Sequence, residues 1–268
     1  MIIISIDGLN WKYAKDLYKD IFKEQSMRMI RCDVRPFSMQ GVSATPIGLT
    51  CLWSGERIKN LHPDFFTRFT DKYKTESFIW EDRFGNKLDL VWDHFDKSKF
   101  FEKVVGDSPY SGEQVWKFYH SLEDKGVKRV PCEELCIFAE AARDDYDLFW
   151  IHSSIVKGAV MFPGPYELGR LPSLKTYDEI RKDKALKKEV YLWGVRRYRE
   201  VIKYIEELSG YQTILITSDH GTLTDLPFTN DQIDEIPLIV NRDVDLSDIK
   251  YQWDIKKCIL RLKEDFEK

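Results

Sequence analysis

No stretch of the 268-residue sequence is apolar over the length that a membrane-spanning helix needs, which is about 18 residues. The first residues carry neither the basic segment nor the small-residue cleavage site of a secretion signal, so we expect a cytoplasmic protein. Net charge is also low, at −4, which argues against binding nucleic acid through bulk electrostatic attraction.

Cysteine and histidine are both scarce, with five residues of each. The cysteines are odd in number and scattered, a pattern that suits a reducing compartment better than a disulfide framework. Cys132 and Cys136 are closely spaced, but no second pair completes a zinc site of that kind. No histidine follows His220, which limits the metal ligands that the end of the sequence can supply.

Strand-like and helix-like segments alternate along the chain. This order predicts one α/β domain over residues 1–268, with a doubly wound, mostly parallel sheet and helices on both faces. The segment Ile2–Ile6 is almost wholly apolar, as expected of a strand that is covered on both sides. Further strands are predicted at Met29–Val34, Asp147–His152, Thr213–Thr217 and Ile236–Val240.

Helical spacing of apolar residues indicates the main helices, at Trp11–Phe22, Lys175–Leu208 and Trp253–Phe266. Between residues 60 and 130 the pattern becomes irregular, aromatic and charged. We predict that this stretch is an aromatic-rich insertion or cap beside the sheet, and not an independent domain.

An acidic residue, Asp7, directly follows the first predicted strand. A carboxylate in that position can cap the next helix, bind a cation or form a buried ion pair. The residue alone leaves all three roles open.

Thr45 precedes Pro46 and an apolar segment that continues through Trp53. This order places Thr45 at the N-cap of a helix and Pro46 at its first position. A hydroxyl there lies at the positive end of the helix dipole, beside unpaired backbone amides, and both features stabilise an alkoxide or a phosphate. A plain capping role for Thr45 is the alternative.

Asp219 and His220 lie in the segment Ser218–Gly221, after the predicted strand Thr213–Thr217. An adjacent aspartate and histidine on a tight turn can present a carboxylate and an imidazole to one metal ion. An oxygen-rich ligand set with one nitrogen suits zinc or manganese. An ordinary turn without a ligand is the alternative.

Together, these three segments resemble the alkaline phosphatase superfamily, particularly its phosphodiesterase and nucleotide-pyrophosphatase branch. Ile3–Gly8 looks like that branch's first strand and first metal-binding aspartate, and Ile216–Gly221 is close to the family's most recognisable signature. Thr45 precedes the pair Ser54-Gly55, much as the nucleophilic threonine precedes a Thr-Gly pair in many members. The resemblance implies a divalent zinc, manganese or magnesium ion, a nucleophile at Thr45 and a small phosphoester substrate such as a nucleotide.

The resemblance fails at the second metal site. Typical members place an aspartate and a histidine soon after the strand that corresponds to Asp147–His152, and a further histidine late in the chain. Here Ser153–Val160 contains neither residue type. The resemblance then implies a one-metal site, similar to that of the superfamily's phosphoglycerol and phosphoethanolamine transferases. Its members would be Asp7, Thr45, Asp219 and His220.

Two further side chains are candidates for substrate binding. His152 ends a predicted strand and can face the site. Lys157 lies near the vacated ligand position, where its ammonium group can hold a phosphate oxygen in place of a metal. The alternatives are a hydrogen-bonded histidine at the edge of the core and a solvated lysine.

These residues predict a metal-dependent phosphoester hydrolase or phosphotransferase with a threonine nucleophile. A catalytically degraded member of the superfamily, acting as a binding or regulatory module, is the main alternative. A third possibility is an α/β protein of another kind, such as a scaffold or a partner-binding domain.

Overall fold

The computed structural model describes residues 1–33, 44–57, 59, 82–103, 147–153, 183–209, 212–221 and 235–265. These residues form a six-stranded sheet with helices on both faces, which confirms the predicted α/β class. The strands are β1 (Ile2–Ile6), β2 (Ser26–Arg31), β3 (Ser98–Lys103), β4 (Leu148–Ser153), β5 (Ile214–Thr217) and β6 (Glu235–Val240). Their order across the sheet is β2-β6-β5-β1-β4-β3.

The sheet is mostly parallel, as predicted. β3, β4, β1 and β5 are parallel neighbours, whereas β6 is antiparallel to both β5 and β2. β1 lies in the middle, where Ile4 pairs with Ile151 of β4 on one side and with Ile216 of β5 on the other. The all-apolar sequence of β1 follows from this position, because both of its faces are covered.

Among the described residues, four α-helices cover the sheet: α1 (Trp11–Leu17), α2 (Ala44–Ser54), α3 (Lys184–Ser209) and α4 (Asp254–Glu264). Ile2, Ile4 and Ile6 of β1 share one core with the buried residues of α1 and α3. Ile3 belongs to the opposite core, which contains the buried residues of α2 and α4. Successive strand residues point to opposite faces, so one short strand supports both cores.

Several element boundaries differ from the prediction; α3, for example, begins at Lys184 instead of Lys175. Two of the differences have a visible cause. β2 begins at Ser26 instead of Met29, because Ser26, Met27 and Arg28 pair with β6 in the sheet. α1 ends at Leu17 instead of Phe22. Beyond its end, the side-chain amide of Gln25 accepts a hydrogen bond from the Phe22 N–H and donates one to the Tyr18 carbonyl. These backbone groups are therefore paired without a further helical turn.

Part of the predicted insertion, residues 82–103, belongs to the main domain. Its last six residues form β3, an edge strand that pairs in parallel with β4. Just before β3, a short 3₁₀ helix at Val91–His94 packs beside α2 and α4. Residues 60–81 and 104–130 lie outside the described part of the chain, so the cap stays a prediction for those segments.

No helix in the described ranges has both the length and the apolar character needed to cross a bilayer.

Candidate metal centre

The predicted metal ligands lie at one edge of the sheet. Asp7 directly follows β1, while Asp219 and His220 follow the neighbouring parallel strand β5. Because the carboxyl ends of parallel neighbours meet at the same edge, the two turns are brought together there. All three side chains are buried.

The three side chains converge on a common point. Nε2 of His220 lies 3.2 Å from Oδ1 of Asp7 and 3.3 Å from Oδ2 of Asp219. One ligand atom from each residue lies within 4.8 Å of the other two. Around a tetrahedral ion with bonds of 2.0–2.1 Å, ligand atoms are about 3.3 Å apart, so the spacing fits a metal ion. No second group of three potential ligands converges in this way among the described residues.

The contact made by Nδ1 of His220 shows that this ring nitrogen carries a proton. Nδ1 lies 2.5 Å from the carbonyl oxygen of Gly221. A carbonyl only accepts hydrogen bonds, so Nδ1 carries a proton and donates it to Gly221. Nε2, which faces the two carboxylates, is then the nitrogen that can offer a lone pair. Metal-binding histidines are commonly oriented by a hydrogen bond of this kind.

The carboxylate of Asp219 is held by a hydrogen bond at Oδ1, the oxygen that does not face His220. Its Oδ1 accepts a hydrogen bond of 3.3 Å from the Gly8 N–H, in the turn after β1. Gly8 has a positive φ of 72°, a left-handed conformation that side-chain-bearing residues rarely adopt. Oδ2 of Asp219 therefore remains directed at His220.

Ser218 ties the two turns together. Its Oγ accepts a 3.0 Å hydrogen bond from the Leu9 N–H. The same oxygen lies 2.6 Å from the carbonyl oxygens of Ile6 and His220, one of which takes its proton. These contacts fix the turn after β5 against the turn after β1.

The capping role considered for Asp7 belongs to another residue. Asn10 is the N-cap of α1, and its side chain accepts a 2.8 Å hydrogen bond from the Lys12 N–H. Asp7 instead donates its backbone N–H to the Ser153 carbonyl and directs its carboxylate at His220. The structure therefore favours the cation and ion-pair interpretations of Asp7.

Thr45 is the second residue of α2, which begins at Ala44, and is not its N-cap. The third residue, Pro46, still lies among the first positions, whose backbone nitrogens have no partner within the helix. The side chain of Thr45 lies outside the described part of the structure. The placement of Thr45 in one site with Asp7, Asp219 and His220 therefore stays a prediction.

Helix α2 nevertheless touches the turn after β5 through its backbone. A Cβ atom added at Gly48 would overlap the carbonyl oxygen of Asp219. The side-chain amide of Gln252 donates a hydrogen bond to that same carbonyl oxygen. Thr45 precedes Gly48 by about 4.5 Å along the helix axis, as three helical residues require. The first turn of α2 is thus next to the contact with Asp219.

His152 is brought to the same region, whereas Lys157 lies outside the described residues. Nε2 of His152 lies 3.9 Å from Oδ2 of Asp219, and both side chains are buried. His152 is not a member of the converging group of three. Its partners are protein groups, which favours a role at Asp219 over direct contact with a substrate.

A polar cleft of about 390 Å³ lies away from this site. Ser54, at the C-terminal end of α2, lines the cleft together with Asp89 and Lys256. Thr45 is at the opposite end of the same helix, so the cleft is not the candidate metal centre.

No protein-family model matches the sequence, and no curated protein matches it either. Solved structures do match. The chain is similar over 98% of its length to the C-terminal periplasmic domain of the phosphoethanolamine transferase EptC from Campylobacter jejuni, with 89% of that domain covered, 13% identity and a TM-score of 0.52. The soluble domain of lipooligosaccharide phosphoethanolamine transferase A from Neisseria meningitidis matches over 98% of this chain and 87% of its own, with 12% identity and a TM-score of 0.51.

The chain has the fold of these phosphoethanolamine transferase domains. The integral membrane form of the Neisseria meningitidis transferase shares it, with a TM-score of 0.55 and 13% identity, although this chain spans only 54% of that protein. The superfamily resemblance seen in three short segments is thereby confirmed for the fold. At this identity the likeness establishes the fold alone, and the chemistry has to be inferred from the side chains.

Three contacts of the site had no recognised signal in the sequence. Gly48 and Gln252 both contact the Asp219 carbonyl oxygen from elements far along the chain. Ser5 lies inside an apolar strand and bonds to His152. A polar residue within an otherwise apolar buried strand is an available signal, because a buried hydroxyl needs a partner.

Proposed function

We propose that this chain is a metal-dependent phosphoester hydrolase or phosphotransferase with Thr45 as its nucleophile. The observation that carries the proposal is the buried convergence of Asp7, Asp219 and His220 at the carboxyl edge of the sheet. Two buried carboxylates that face one imidazole nitrogen form a set that a cation stabilises.

The proposed cofactor is one divalent ion, held by Asp7, Asp219 and His220. Two carboxylate oxygens and one imidazole nitrogen suit zinc or manganese, whereas magnesium prefers an all-oxygen set. When bound, the ion would supply the positive charge that polarises a phosphoryl group and lowers the pKa of a nearby hydroxyl. These three residues leave further coordination positions available to Thr45 and a substrate oxygen.

The nucleophile is assigned to Thr45 because α2 contacts the metal-binding turn at Gly48, one turn further along the helix. Backbone N–H groups of the first helical turn lack partners in the helix and can donate to phosphate oxygens. In the proposed reaction, Thr45 Oγ1 bonds to phosphorus as the bond to the leaving alcohol breaks. Water or a second alcohol then takes the phosphoryl group and restores the threonine hydroxyl.

The substrate proposed first is a phosphodiester or nucleotide pyrophosphate, as the sequence resemblance implies. Without the usual ligands of a second metal in the segment 153–160, less positive charge is available to stabilise the leaving oxygen. Good leaving groups, such as nucleotides or activated esters, are therefore favoured. Lys157 is proposed to hold a phosphate oxygen, and the scattered cysteines support the proposed cytoplasmic location.

The test is turnover of nitrophenyl phosphodiesters and phosphomonoesters by metal-loaded protein, with Thr45→Ala compared with Thr45→Ser. We expect Thr45→Ala to reduce kcat at least about 1000-fold, as loss of a nucleophile does, and Thr45→Ser to retain measurable turnover. Mass spectrometry of quenched wild-type reactions should find a phosphate on Thr45. Turnover that is unaffected in Thr45→Ala would contradict the assignment. Metal binding without any turnover would favour the binding or regulatory module.

A further inference from the structure

His152 lies on β4 beside Ser5 of β1, and both side chains are buried. Nδ1 of His152 is 2.9 Å from Oγ of Ser5. On the other side of the ring, Nε2 faces Oδ2 of Asp219 at 3.9 Å. Neither of these facing atoms has a hydrogen-bond partner among the described residues.

The ring proton of His152 can be placed by following the hydrogen bonds from Trp150. The indole Nε1–H of Trp150 donates to Ser5 Oγ at 2.8 Å, and an indole nitrogen only donates. The hydroxyl proton of Ser5 then has two possible acceptors, His152 Nδ1 at 2.9 Å and the Ile151 carbonyl at 3.5 Å. The shorter contact is the stronger one, so Ser5 donates to Nδ1. The proton of the neutral ring is therefore on Nε2, toward Asp219.

His152 and His220 thus carry their ring protons on opposite nitrogens. With Nδ1 bonded to Gly221, the His220 ring would offer the lone pair of Nε2 to a bound metal ion, as a ligand does. His152 turns an N–H toward Oδ2 of Asp219, as a donor does.

We infer that His152 is a positioning residue for the metal ligand Asp219, itself oriented by Ser5 and Trp150. The inference rests on the proposed metal site. At 3.9 Å, the His152 Nε2–H can reach Oδ2 of Asp219 through one bridging water, and this bridge favours one placement of the carboxylate. Hydrogen bonds to the groups that ligate a metal raise metal affinity without adding a ligand.

The test is calorimetric titration of zinc into metal-free wild-type protein, His152→Leu and His152→Gln. The amide of glutamine can place an N–H donor near the position of histidine Nε2, whereas leucine has none. We expect His152→Leu to weaken zinc binding about 10- to 100-fold, and His152→Gln to recover much of that loss. Ser5→Ala, which frees the ring without removing it, should weaken binding by a smaller factor.

X-ray absorption of the zinc complexes separates positioning from ligation. A positioning role predicts the same number of imidazole ligands in wild-type protein and in His152→Leu. Loss of one imidazole would make His152 a ligand and would overturn the inference, as would unchanged zinc affinity in folded His152→Leu and Ser5→Ala. Wild-type protein that binds no zinc would instead overturn the proposed metal site.

Discussion

Nε2 of His220 lies 3.2 Å from Oδ1 of Asp7, although the two residues belong to turns after different strands. Asp219 brings a second carboxylate to within 3.3 Å of the same nitrogen. All three groups are buried, so water does little to screen the repulsion between the two negative charges. We therefore expect the main difference between the metal-bound and the metal-free protein to be that a bound cation compensates this negative charge.

Replacing Asp219 by asparagine should change stability in opposite directions with and without metal. In the metal-free protein, Asp219→Asn removes one of the two facing charges, and the new amide can donate to Nε2 of His220. We expect a melting temperature about 2–4 °C higher, which corresponds to about 1 kcal/mol. With zinc present, the variant should lose most of the stabilisation that the wild-type protein gains on binding. Thermal unfolding with and without zinc measures both effects.

Asp248→Asn is the matched control for this charge change. Asp248 is partly exposed and pairs with Lys257 and Arg261 on the surface. Asp248→Asn should lower the melting temperature slightly, and by the same amount in the presence and absence of zinc. If Asp219→Asn behaved in the same way, charge compensation at the site would not be the controlling feature.

A methyl group at Gly48 should disturb the metal-binding turn. Gly48→Ala places its Cβ on the carbonyl oxygen of Asp219, and neither backbone can give way without moving the helix or the turn. Overpacking of this kind destabilises by about 1–3 kcal/mol. Because Asp219 is displaced, we also expect weaker zinc binding. Urea unfolding and zinc titration of the same variant measure the two consequences.

Gly85→Ala separates general backbone strain from this contact. Gly85 has a φ of 82°, and a Cβ there meets no atom within 4 Å. The variant should lose about 1–2 kcal/mol through its left-handed conformation and keep wild-type zinc affinity. Normal zinc affinity in Gly48→Ala would show that α2 does not position Asp219.

The positions of Asp7, Asp219 and His220 at one sheet edge could be predicted because Asp7 directly follows one apolar strand and the other two closely follow another. Periodicity alone predicts where such strands end, and parallel pairing then brings the ends together. The edge strand β3 could not be recognised in this way, because its partner β4 lies far along the chain. The early start of β2 has the same cause, since it depends on pairing with β6.

The contacts around Asp7, Asp219 and His220 were harder to predict than the positions of these three residues. Gly48 is an ordinary residue in the sequence, and its importance comes from a helix approaching the turn after β5. The N-cap prediction for Thr45 was wrong by local geometry, because α2 already begins at Ala44. The nucleophilic role of Thr45 itself stays a prediction.

The pair Asp89–Lys256 should make stability depend on pH in the acid range. A hydrogen bond from Lys256, with a smaller one from His94, holds the pKa of Asp89 below its usual value. Because the pKa of Asp89 is lower in the folded state, its carboxylate stabilises the folded protein at pH values above the unfolded-state pKa of about 3.9. This stabilisation is lost as the pH falls through the lower pKa of the folded state. Asp89→Asn should thus cost about 1 kcal/mol or less at pH 7, because the carboxylate is 65% exposed.

Urea unfolding of wild-type protein and Asp89→Asn across pH 3–7 checks this expectation. The difference in unfolding free energy between them should narrow below about pH 4. A difference that is constant with pH would assign the effect of the variant to packing instead of to the charge of Asp89.

Cys258 should react with iodoacetamide only after unfolding. Burial raises the pKa of its thiol to about 11 and also blocks access to the sulfur. At pH 8 the reactive thiolate is therefore scarce in the folded protein, whereas an unfolded cysteine has a pKa of about 8.5. Peptide-level mass spectrometry after timed alkylation, with and without urea, should show the contrast. Equal labelling rates in both conditions would contradict the buried position of Cys258.

The central claim is that Asp7, Asp219 and His220 bind one metal ion, and anomalous X-ray diffraction from zinc-soaked crystals tests it most directly. We expect one zinc peak within about 2.3 Å of Asp7 Oδ1, Asp219 Oδ2 and His220 Nε2. The peak should be absent in crystals of His220→Ala that are soaked in the same way. A zinc-free site between these three side chains, or a peak that persists there without His220, would show that the three residues do not form the metal site.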